Sequence, residues 1–384
     1  MEDFVLSVGE LKGLAMKMGQ IVSYVDDSLP PETRSRLAAL QRWSPKTDFD
    51  DIASIIRQDL GDRAEPLLSA LERAPVASAS VGQVHRGALP DGTAVAVKVR
   101  HPGIEKAMNA DFRAAAPAKL IGRAFFPGAN LTGIVDEARA GFLSECDYER
   151  EAEMQSRFGE LHAADSTLCI PRVYSDYCSK RVLTTGWQEG LRLEDYLESD
   201  PPLEERQRFG RALYSFYVGS LFRFGLFNAD PHPGNLLFQP PDRLVILDHG
   251  CVRSFDEQTI AHLAQLSHAV RDDDRQRICD ALQQLGAKRP KKDKIYLATR
   301  EMLRSFFGPT LRSGPQVPDA PAQISMSSVI QTKSKVIRMR IPGRLLFLFR
   351  IRFGLYALLR QLGAPIDFQR LEDEYVGYVR ANKA

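Results

Sequence analysis

The chain has 384 residues, 44% hydrophobic and 26% charged, a composition typical of a globular protein that can bury a sizeable core. Its 51 lysines and arginines nearly balance 49 acidic residues, so the net charge of +2 gives no overall field that would mark a nucleic-acid-binding protein. The five cysteines form no C-x-x-C pair, which argues against a disulfide scaffold or a structural zinc site, and we expect reduced thiols.

Two segments bear on targeting. Residues 1–4 lack the basic start and apolar run of a secretory signal, so export is not expected. The most apolar window, 345–359, contains Arg350 and Arg352, and charges at mid-span are costly in hydrocarbon. We therefore predict a cytoplasmic protein without a transmembrane helix.

The first part of the chain is predicted to be a helical extension over residues 1–72. Apolar residues such as Leu14 and Met18 recur at helical spacing, and further amphipathic stretches cover 31–42 and 49–72. No repeat or low-complexity linker separates this extension from the rest of the chain.

Residues 73–188 carry the pattern of a small mixed lobe. Strand-like segments alternate with helical ones, and a turn at 90–92 has the sequence Pro-Asp-Gly. The predicted elements are a small polar loop at 78–86, two strands joined by the turn at 90–92, the second of them at 94–99, helices within 104–163, and strands at 172–174 and 181–185.

Residues 189–384 are predicted to be a mainly helical lobe. A long helical stretch covers 203–226, a hairpin covers 236–247 with its turn at 239–242, and helical patterning continues to the end. A mixed lobe followed by a helical lobe gives an α+β fold with a cleft between the lobes, near which the polar motifs fall.

Phosphoryl transfer requires cations on the phosphates, oxygen ligands for Mg²⁺ and a carboxylate near the attacking hydroxyl. Lys98 ends a V-A-V-K strand after the small-residue loop, where a lysine can reach the α- and β-phosphates. By itself this pattern more often belongs to a lysine exposed on an edge strand.

The strongest signal is an ordered pair of motifs after Lys98. Asp230 and Asn235 have the D-x-x-x-x-N spacing that places a base by the hydroxyl and an amide oxygen on Mg²⁺. Asp248 follows an apolar strand and precedes His249-Gly250, which suits a second Mg²⁺ ligand. Either motif alone can be a turn aspartate, but their order favours a Mg²⁺-nucleotide cleft.

Spacing alone leaves the roles of two sets of residues undecided. A lysine on phosphates needs a carboxylate partner, and five acidic residues compete for this role: Glu145, Asp147, Glu149, Glu151 and Glu153. For His232 and His249, we favour a hydrogen-bonding structural role over a base or a metal ligand.

With these motifs, the chain resembles the UbiB family of atypical kinases, also called the AarF or ABC-one family, over roughly residues 8–365. Lys17-Met18-Gly19-Gln20 is similar to its K-x-G-Q motif, and Glu145-Cys146-Asp147 is similar to its E-x-D motif. The segment 77–85 resembles the alanine-rich loop that replaces the glycine loop of protein kinases, although Ser78 interrupts the alanine run.

The resemblance implies a bilobal protein-kinase-like fold and a role for each motif. Lys98, Glu151 and Asp230 fall on catalytic positions, and Asn235 and Asp248 on metal ligands. The predicted nucleotide contacts, besides Lys98, are Ala77, Ser78, Ala79, Ser80, Val81, Trp187 and Gln188. The predicted lid over the cleft consists of Lys17, Gly19, Gln20, Glu145 and Asp147.

The resemblance also implies a function. We expect binding of ATP or ADP with Mg²⁺, and ATPase or kinase activity toward a small or buried acceptor, because the lid occupies the place where a protein substrate would dock. The family is tied to ubiquinone biosynthesis, so a quinone precursor or a lipid is the expected partner. The alternatives are a phosphotransferase of the aminoglycoside or choline kinase type, and a nucleotide-gated scaffold that binds lipid or protein.

A basic, apolar segment at 333–352 adds a question about membranes. It contains seven lysines and arginines and no acidic residue. One interpretation is a helix lying on anionic lipid at the inner face of the membrane. We favour the other, a helix of the helical lobe whose apolar side is buried and whose arginines point outward.

Overall fold

The computed structural model of the protein describes residues 47–78, 81–114, 139, 142–290, 292–319 and 343–381. Several predicted site residues lie outside these ranges, namely Lys17, Gly19, Gln20, Ala79 and Ser80, as do residues 333–342 of the basic segment. In chain order the elements are α1 (Phe49–Leu60), α2 (Ala64–Ser69), β1 (Ala77–Ser78), β2 (Gly82–Ala88), β3 (Ala94–Arg100), α3 (Ile104–Ala114), α4 (Tyr148–Leu161), β4 (Leu168–Cys169), β5 (Val182–Gly186), α5 (Leu193–Glu198), α6 (Leu203–Tyr214), α7 (Ser220–Phe224), β6 (Leu226–Asn228), β7 (Leu236–Gln239), β8 (Arg243–Ile246), β9 (Val252–Ser254), α8 (Glu257–Arg271), α9 (Arg275–Gln284), α10 (Asp293–Phe307), α11 (Gly343–Leu362) and α12 (Phe368–Ala381).

The small lobe is an antiparallel sheet in the order β1-β2-β3-β5, covered on one face by α1 and α2. Side chains alternate along β3, so that Val95, Val97 and Val99 are buried against these helices while Lys98 points to the other face. The predicted helical stretch 49–72 is thus two helices, interrupted at Gly61, whose positive φ of 56° ends α1.

Two predictions for this lobe are wrong. Residues 82–86, expected to belong to a small polar loop, form the first part of β2. At 172–174 the chain forms only an isolated bridge between Val173 and Thr185, because a 3₁₀ turn begins at Ser175 and Pro171 has no N–H to extend the pairing. The sequence patterns also missed β4, which pairs in parallel with β8 in the larger lobe.

The larger lobe is mainly helical, as predicted. The helical stretch predicted at 203–226 is present as α6, a π-helical turn at Ser215–Gly219 and α7, and it ends at Gly225 with a φ of 68°. The predicted hairpin is also present, with β7 and β8 joined through Pro240-Pro241. Buried aromatic and aliphatic side chains from these and the later helices form the core.

The expectation that the arginines of the basic segment point outward is wrong for Arg352. Its guanidinium is buried in α11, forms an ion pair with Glu372 of α12, and donates to the hydroxyl of Tyr214 at 3.1 Å. An apolar helix can carry a charge inward when another helix supplies its counter-ion. Among the described residues, no helix is both long and apolar enough to cross a membrane.

Candidate functional site

Lys98 lies between two carboxylates. Its Nζ donates to Glu151 Oε1 at 2.8 Å and Oε2 at 2.9 Å, and to Asp248 Oδ2 at 3.4 Å. Strand alternation directs Lys98 toward α4, and Asp147 caps that helix by accepting from Arg150 N at 3.2 Å. Glu151 therefore emerges from the first turn of α4, and of the five acidic candidates it is the one that faces the lysine.

Burial and charge set the protonation of this group. Burial lowers the pKa of Lys98, but the charges of Asp248 and Glu151 outweigh that effect and hold the pKa well above its ordinary value. Burial raises the pKa of Glu151 to about 7, despite the opposing charge of Lys98. Burial also acts to raise the pKa of Asp248, but Lys98 and the Gly250 N–H lower it below its ordinary range, so this carboxylate is ionised.

Asp230 and Asn235 lie on the loop between β6 and β7. Asn235 Nδ2 donates to Asp230 Oδ2 at 2.9 Å, across a 3₁₀ turn at Pro233–Asn235. His232 stabilises this turn, because its Nδ1 accepts from Gly234 N at 3.0 Å, in keeping with a structural histidine. Leu247 N donates to Asn235 O at 2.9 Å, extending the β7–β8 ladder so that Asp248 follows directly beside Asn235.

Asn235 and Asp248 are suited to hold Mg²⁺. An amide carbonyl and an ionised carboxylate are hard oxygen ligands, and nucleotide-bound Mg²⁺ uses one or two of these together with phosphates and water. The Asp248 side chain is 29% exposed, and its Oδ1 accepts from Gly250 N at 2.9 Å, which fixes its orientation. Gly250 also permits close packing, since a Cβ there would lie 3.2 Å from Glu151 Oε2.

Sequence reasoning missed Asn228, which joins the two motifs. Its Nδ2 donates to the main-chain oxygen of Asp248 at 2.8 Å, and its Oδ1 accepts from Asp230 N at 3.1 Å. The side chain is buried, at 1% exposure. Asn228 thus fixes the position of the loop that carries Asp230 and Asn235 relative to segment 247–251, which carries the candidate metal ligand Asp248 and is called the metal loop below. The only signal in the sequence is its place two residues before Asp230.

Sequence reasoning also missed a connection between α4 and the metal loop. Arg150 donates to Ser144 Oγ at 2.8 Å and to Val252 O at 3.3 Å, and Ser144 Oγ donates to Gly250 O at 3.1 Å. These bonds tie the helix that carries Glu151 to the segment that carries Asp248. No motif marks the bonds to Gly250 and Val252, because they join residues about a hundred positions apart in sequence.

His249 is a packing residue rather than a hydrogen-bonding one, which corrects the expectation for this side chain. It is 1% exposed, and its ring lies 5.3 Å from Phe158 and 5.9 Å from Phe216. Within the described part of the chain, neither ring nitrogen has a hydrogen-bond partner. Burial lowers the pKa of His249 to about 3, so the ring is neutral at physiological pH.

Of the predicted nucleotide contacts, Ala77, Ser78, Val81, Trp187 and Gln188 lie within the described residues, and Ala79 and Ser80 lie outside them. Ala77 and Ser78 form β1, and Val81 is buried. Trp187 N donates to Ala94 O at 3.0 Å, and the Arg86 guanidinium carbon lies 4.8 Å from the centroid of the Trp187 ring. Gln188 Oε1 accepts from Gln239 Nε2 at 3.5 Å, so the connector touches both lobes. The nucleotide contacts of these residues stay a prediction.

The predicted lid residues are only partly within the described ranges. Asp147 is the N-cap of α4, and Glu145 lies two residues before it. Their predicted partner Lys17 lies outside the described residues, as do Gly19 and Gln20. The contact between Lys17 and these two carboxylates therefore stays a prediction.

Comparison with known proteins points to one family. The sequence profile of the ABC1 atypical kinase-like domain matches residues 39–282. AarF domain-containing protein kinase 1 of Xenopus laevis is 30% identical over 281 residues, which are 72% of this chain and 54% of the frog protein. The chloroplastic protein ACTIVITY OF BC1 COMPLEX KINASE 3 of Arabidopsis thaliana is 33% identical over 258 residues, 66% of this chain and 36% of the plant protein.

A solved structure is similar over nearly the whole chain. The complex of Rv3197 with erythromycin from Mycobacterium tuberculosis has a TM-score of 0.66 and 26% identity, and the match covers 98% of this chain and 96% of that one. The chain spans only 54% of the first curated relative, so activities of the longer proteins do not transfer as a whole. The resemblance expected from the motifs is confirmed: the chain belongs to the ABC1 family of atypical kinases, also known as the AarF or UbiB family.

Proposed function

We propose that the protein binds ATP or ADP with Mg²⁺ in this cleft and transfers the terminal phosphoryl group of ATP to water or to a small acceptor. The observation that carries the proposal is Lys98 held between Glu151 and Asp248, with the hydrogen-bonded pair Asp230 and Asn235 beside them. A cation, Mg²⁺ ligands and a carboxylate for the acceptor are the parts that phosphoryl transfer requires.

Each residue has a separate role in this proposal. The Lys98 ammonium stabilises charge on the α- and β-phosphates, and Glu151 orients it. Asn235 and Asp248 hold Mg²⁺, which when bound neutralises charge on the phosphate oxygens. Asp230 accepts the proton of the attacking hydroxyl or water.

The acceptor follows from the family rather than from the cleft. Because the family resemblance connects such kinases with ubiquinone biosynthesis, we propose a quinone precursor or another lipid as the substrate, and peripheral contact with an anionic membrane as the means of reaching it. A lipid acceptor agrees with a site in which no protein substrate is expected.

The first test is nucleotide binding. Asp248→Asn removes the anionic Mg²⁺ ligand with little change in shape, and we expect it to abolish Mg²⁺-dependent stabilisation by ATP or ADP in a thermal-shift titration. Asp256→Asn is the matched control, because Asp256 caps α8 through Thr259 N and asparagine caps equally well. Equal nucleotide stabilisation of both variants would contradict the proposal.

A second test separates turnover from binding. A deletion strain should be rescued by the wild-type gene but not by Asp230→Asn, with the difference visible in its quinone and lipid profile. If Asp230→Asn restores the profile fully while Asp248→Asn does not, the protein acts as a nucleotide-gated scaffold instead of an enzyme.

The Mycobacterium tuberculosis relative favours a second candidate function. A protein of matching length is known in complex with erythromycin, a large macrolide. We propose on this ground that the present chain also binds an amphipathic small molecule of that size, which would agree with a phosphotransferase acting on small molecules. Titration with erythromycin in the presence and absence of Mg·ATP tests this, and no binding in either condition would exclude the macrolide.

A further inference from the structure

The π-helical turn Ser215–Gly219 packs against both loops of the candidate site. The ring of Phe216 lies 5.9 Å from the ring of His249, which belongs to the metal loop. The hydroxyl of Tyr217 donates to the main-chain oxygen of Asp230 at 3.4 Å. Two successive residues of one helical turn thus contact the two loops.

The π-helical turn is stabilised by Arg223 of α7. Its guanidinium donates to the main-chain oxygen of Ser215 at 3.4 Å and to the hydroxyl of the same residue at 2.9 Å, and its Nε donates to the main-chain oxygen of Gly219 at 3.3 Å. A Cβ on Gly219 would lie 2.9 Å from this guanidinium, so glycine leaves room for it. Turns of this kind are rare and often occur at functional sites. An unusual backbone turn is therefore kept at the point where Tyr217 leaves the helix.

The hydroxyl of Tyr217 is buried within the field of both carboxylates of the site. The side chain is 0% exposed, and burial together with the charges of Asp230 and Asp248 holds the pKa of Tyr217 well above its ordinary value. The hydroxyl therefore keeps its proton and is a donor. Its acceptor, the main-chain oxygen of Asp230, also accepts from His232 N at 2.8 Å within the loop itself. The bond from Tyr217 is thus an additional one, which links this loop to the helix behind it.

We propose that Tyr217 is a positioning residue for phosphoryl transfer, because its hydroxyl fixes the main chain of Asp230 and thereby the direction of the carboxylate that accepts the proton. The inference rests on the proposed function and adds to it a residue that touches neither nucleotide nor acceptor. Misplacing a reacting group by about 1 Å can lower a rate about 10²-fold, so even a long bond that restrains this carboxylate matters for turnover. Nucleotide binding should not depend on it, because Asp230 holds neither the nucleotide nor Mg²⁺ in the proposed mechanism.

The test is Tyr217→Phe, which removes the hydroxyl and keeps the ring against Phe216. Three quantities are measured on the full chain: kcat for ADP formation from Mg·ATP, the Kd of Mg·ADP by calorimetry, and the temperature of thermal unfolding. The matched control is Tyr214→Phe in α6, three residues earlier. The hydroxyl of Tyr214 is also buried, but it donates to Glu372 at 3.0 Å in the core of the larger lobe.

We expect Tyr217→Phe to lower kcat about tenfold and to leave the Kd of Mg·ADP within about twofold of the wild-type value. Its unfolding temperature should fall only slightly, because the bond that it loses is long and the Asp230 oxygen keeps its donor within the loop. Tyr214→Phe should show the reverse. Well below its unfolding temperature it should have the kcat and Kd of the wild type, but that temperature should fall further, because the buried Glu372 loses a hydrogen bond.

The other outcomes overturn the inference. An unchanged kcat in Tyr217→Phe, with or without a lower unfolding temperature, would mean that the hydroxyl is structural and that Asp230 is positioned without it. A Kd that rises as much as kcat falls would mean that the hydroxyl acts through the shape of the nucleotide site. If the wild-type protein forms no ADP from Mg·ATP, the proposed function fails as well, whereas equal turnover by wild type and Tyr217→Phe overturns the role of Tyr217 alone.

Discussion

Two buried ion pairs within the described residues, Arg352 with Glu372 and Lys98 with Glu151, differ in how completely their hydrogen bonds are made. In the larger lobe, Glu372 pairs with Arg352 and also accepts from Tyr214 at 3.0 Å and from Ser267. Burial acts to raise the pKa of Glu372, but Arg352 and these hydroxyls hold it below its ordinary value. In the cleft, Glu151 has Lys98 as its partner, and burial raises its pKa to about 7.

The difference separates a structural pair from a binding site. A buried ion pair whose hydrogen bonds are all made holds its elements in one arrangement, here α6, α8, α11 and α12. A pair whose carboxylate has a raised pKa, beside the unbonded Tyr148 hydroxyl, is not at its electrostatic optimum without a ligand. We infer that the cleft is built for additional charge, which nucleotide phosphates and Mg²⁺ would bring.

The largest expected effect comes from breaking the structural pair. Glu372→Gln leaves the Arg352 guanidinium buried without a counter-ion, and we expect a loss of about 3–5 kcal/mol in the free energy of unfolding, measured with urea. Glu374→Gln is the control in the same helix, because its pair with Arg370 is exposed, and it should cost about 0.5 kcal/mol or less. Equal losses in the two variants would remove the distinction between the pairs.

Glu151→Gln should lower activity strongly and stability only slightly, in contrast to Glu372→Gln. Lys98 keeps Asp248 at 3.4 Å, and a neutral amide replaces a carboxylate that is already partly protonated near pH 7, so the unfolding free energy should change by only about 1 kcal/mol. Turnover of ATP should fall about 10²-fold because Lys98 loses its orienting partner. Glu153→Gln, on the exposed side of the same helix, is the control and should retain wild-type activity.

The sequence predicted the site where it depends on local chain geometry. Lys98 lies within a strand that continues to Arg100, Asp230 and Asn235 share a turn, and Asp248 follows a hairpin, so the local structure around these residues could be predicted from the order and spacing of the motifs. The contact of Glu151 with Lys98 followed only from the family resemblance, since five acidic residues fitted the pattern equally well.

The features that the sequence analysis missed have either tertiary or local causes, neither of which periodicity reveals. Arg352 is buried because Tyr214, distant in sequence, and Glu372, on another helix, meet it in the core. The strand expected at 172–174 was lost to the 3₁₀ turn that comes after it, and β4 is too short for its pattern to be recognised. Only for Arg352 do the deciding contacts join segments that lie apart in the chain; the other two errors have local causes.

A smaller effect is expected at Asn228, which belongs to the cleft but is fully hydrogen-bonded. Asn228→Asp keeps the oxygen that accepts from Asp230 N and replaces the amide donor to Asp248 O with a second oxygen. We expect the Mg²⁺ affinity of the nucleotide complex to fall about tenfold, because the metal loop loses its support. Asn109→Asp, which removes an amide donor to Glu105 O outside the cleft, should leave Mg²⁺ affinity unchanged.

The smallest effect is a difference in pH dependence between the two carboxylates. The folded-state pKa of Glu372 is lowered, so its stabilising contribution is present above its unfolded pKa and is lost as the pH falls through the folded value. The folded-state pKa of Glu151 is raised to about 7, so its contribution is complete below the unfolded pKa and is lost as the pH rises through 7.

The contribution of Glu151 can be isolated between pH 6 and 8. Its raised pKa should cost the wild type about 1 kcal/mol of unfolding free energy over this interval, and Glu151→Gln should abolish that loss. The buried His162 and His249, whose pKa values burial lowers to about 4 and 3, add an opposite slope near pH 6.5 in both proteins, so it cancels in the difference. Urea unfolding at pH 6, 7 and 8 measures this difference. If the unfolding free energies of the two proteins change in parallel with pH, Glu151 is ionised throughout the interval. The pair of Lys98 and Glu151 would then be as well satisfied as the pair of Arg352 and Glu372.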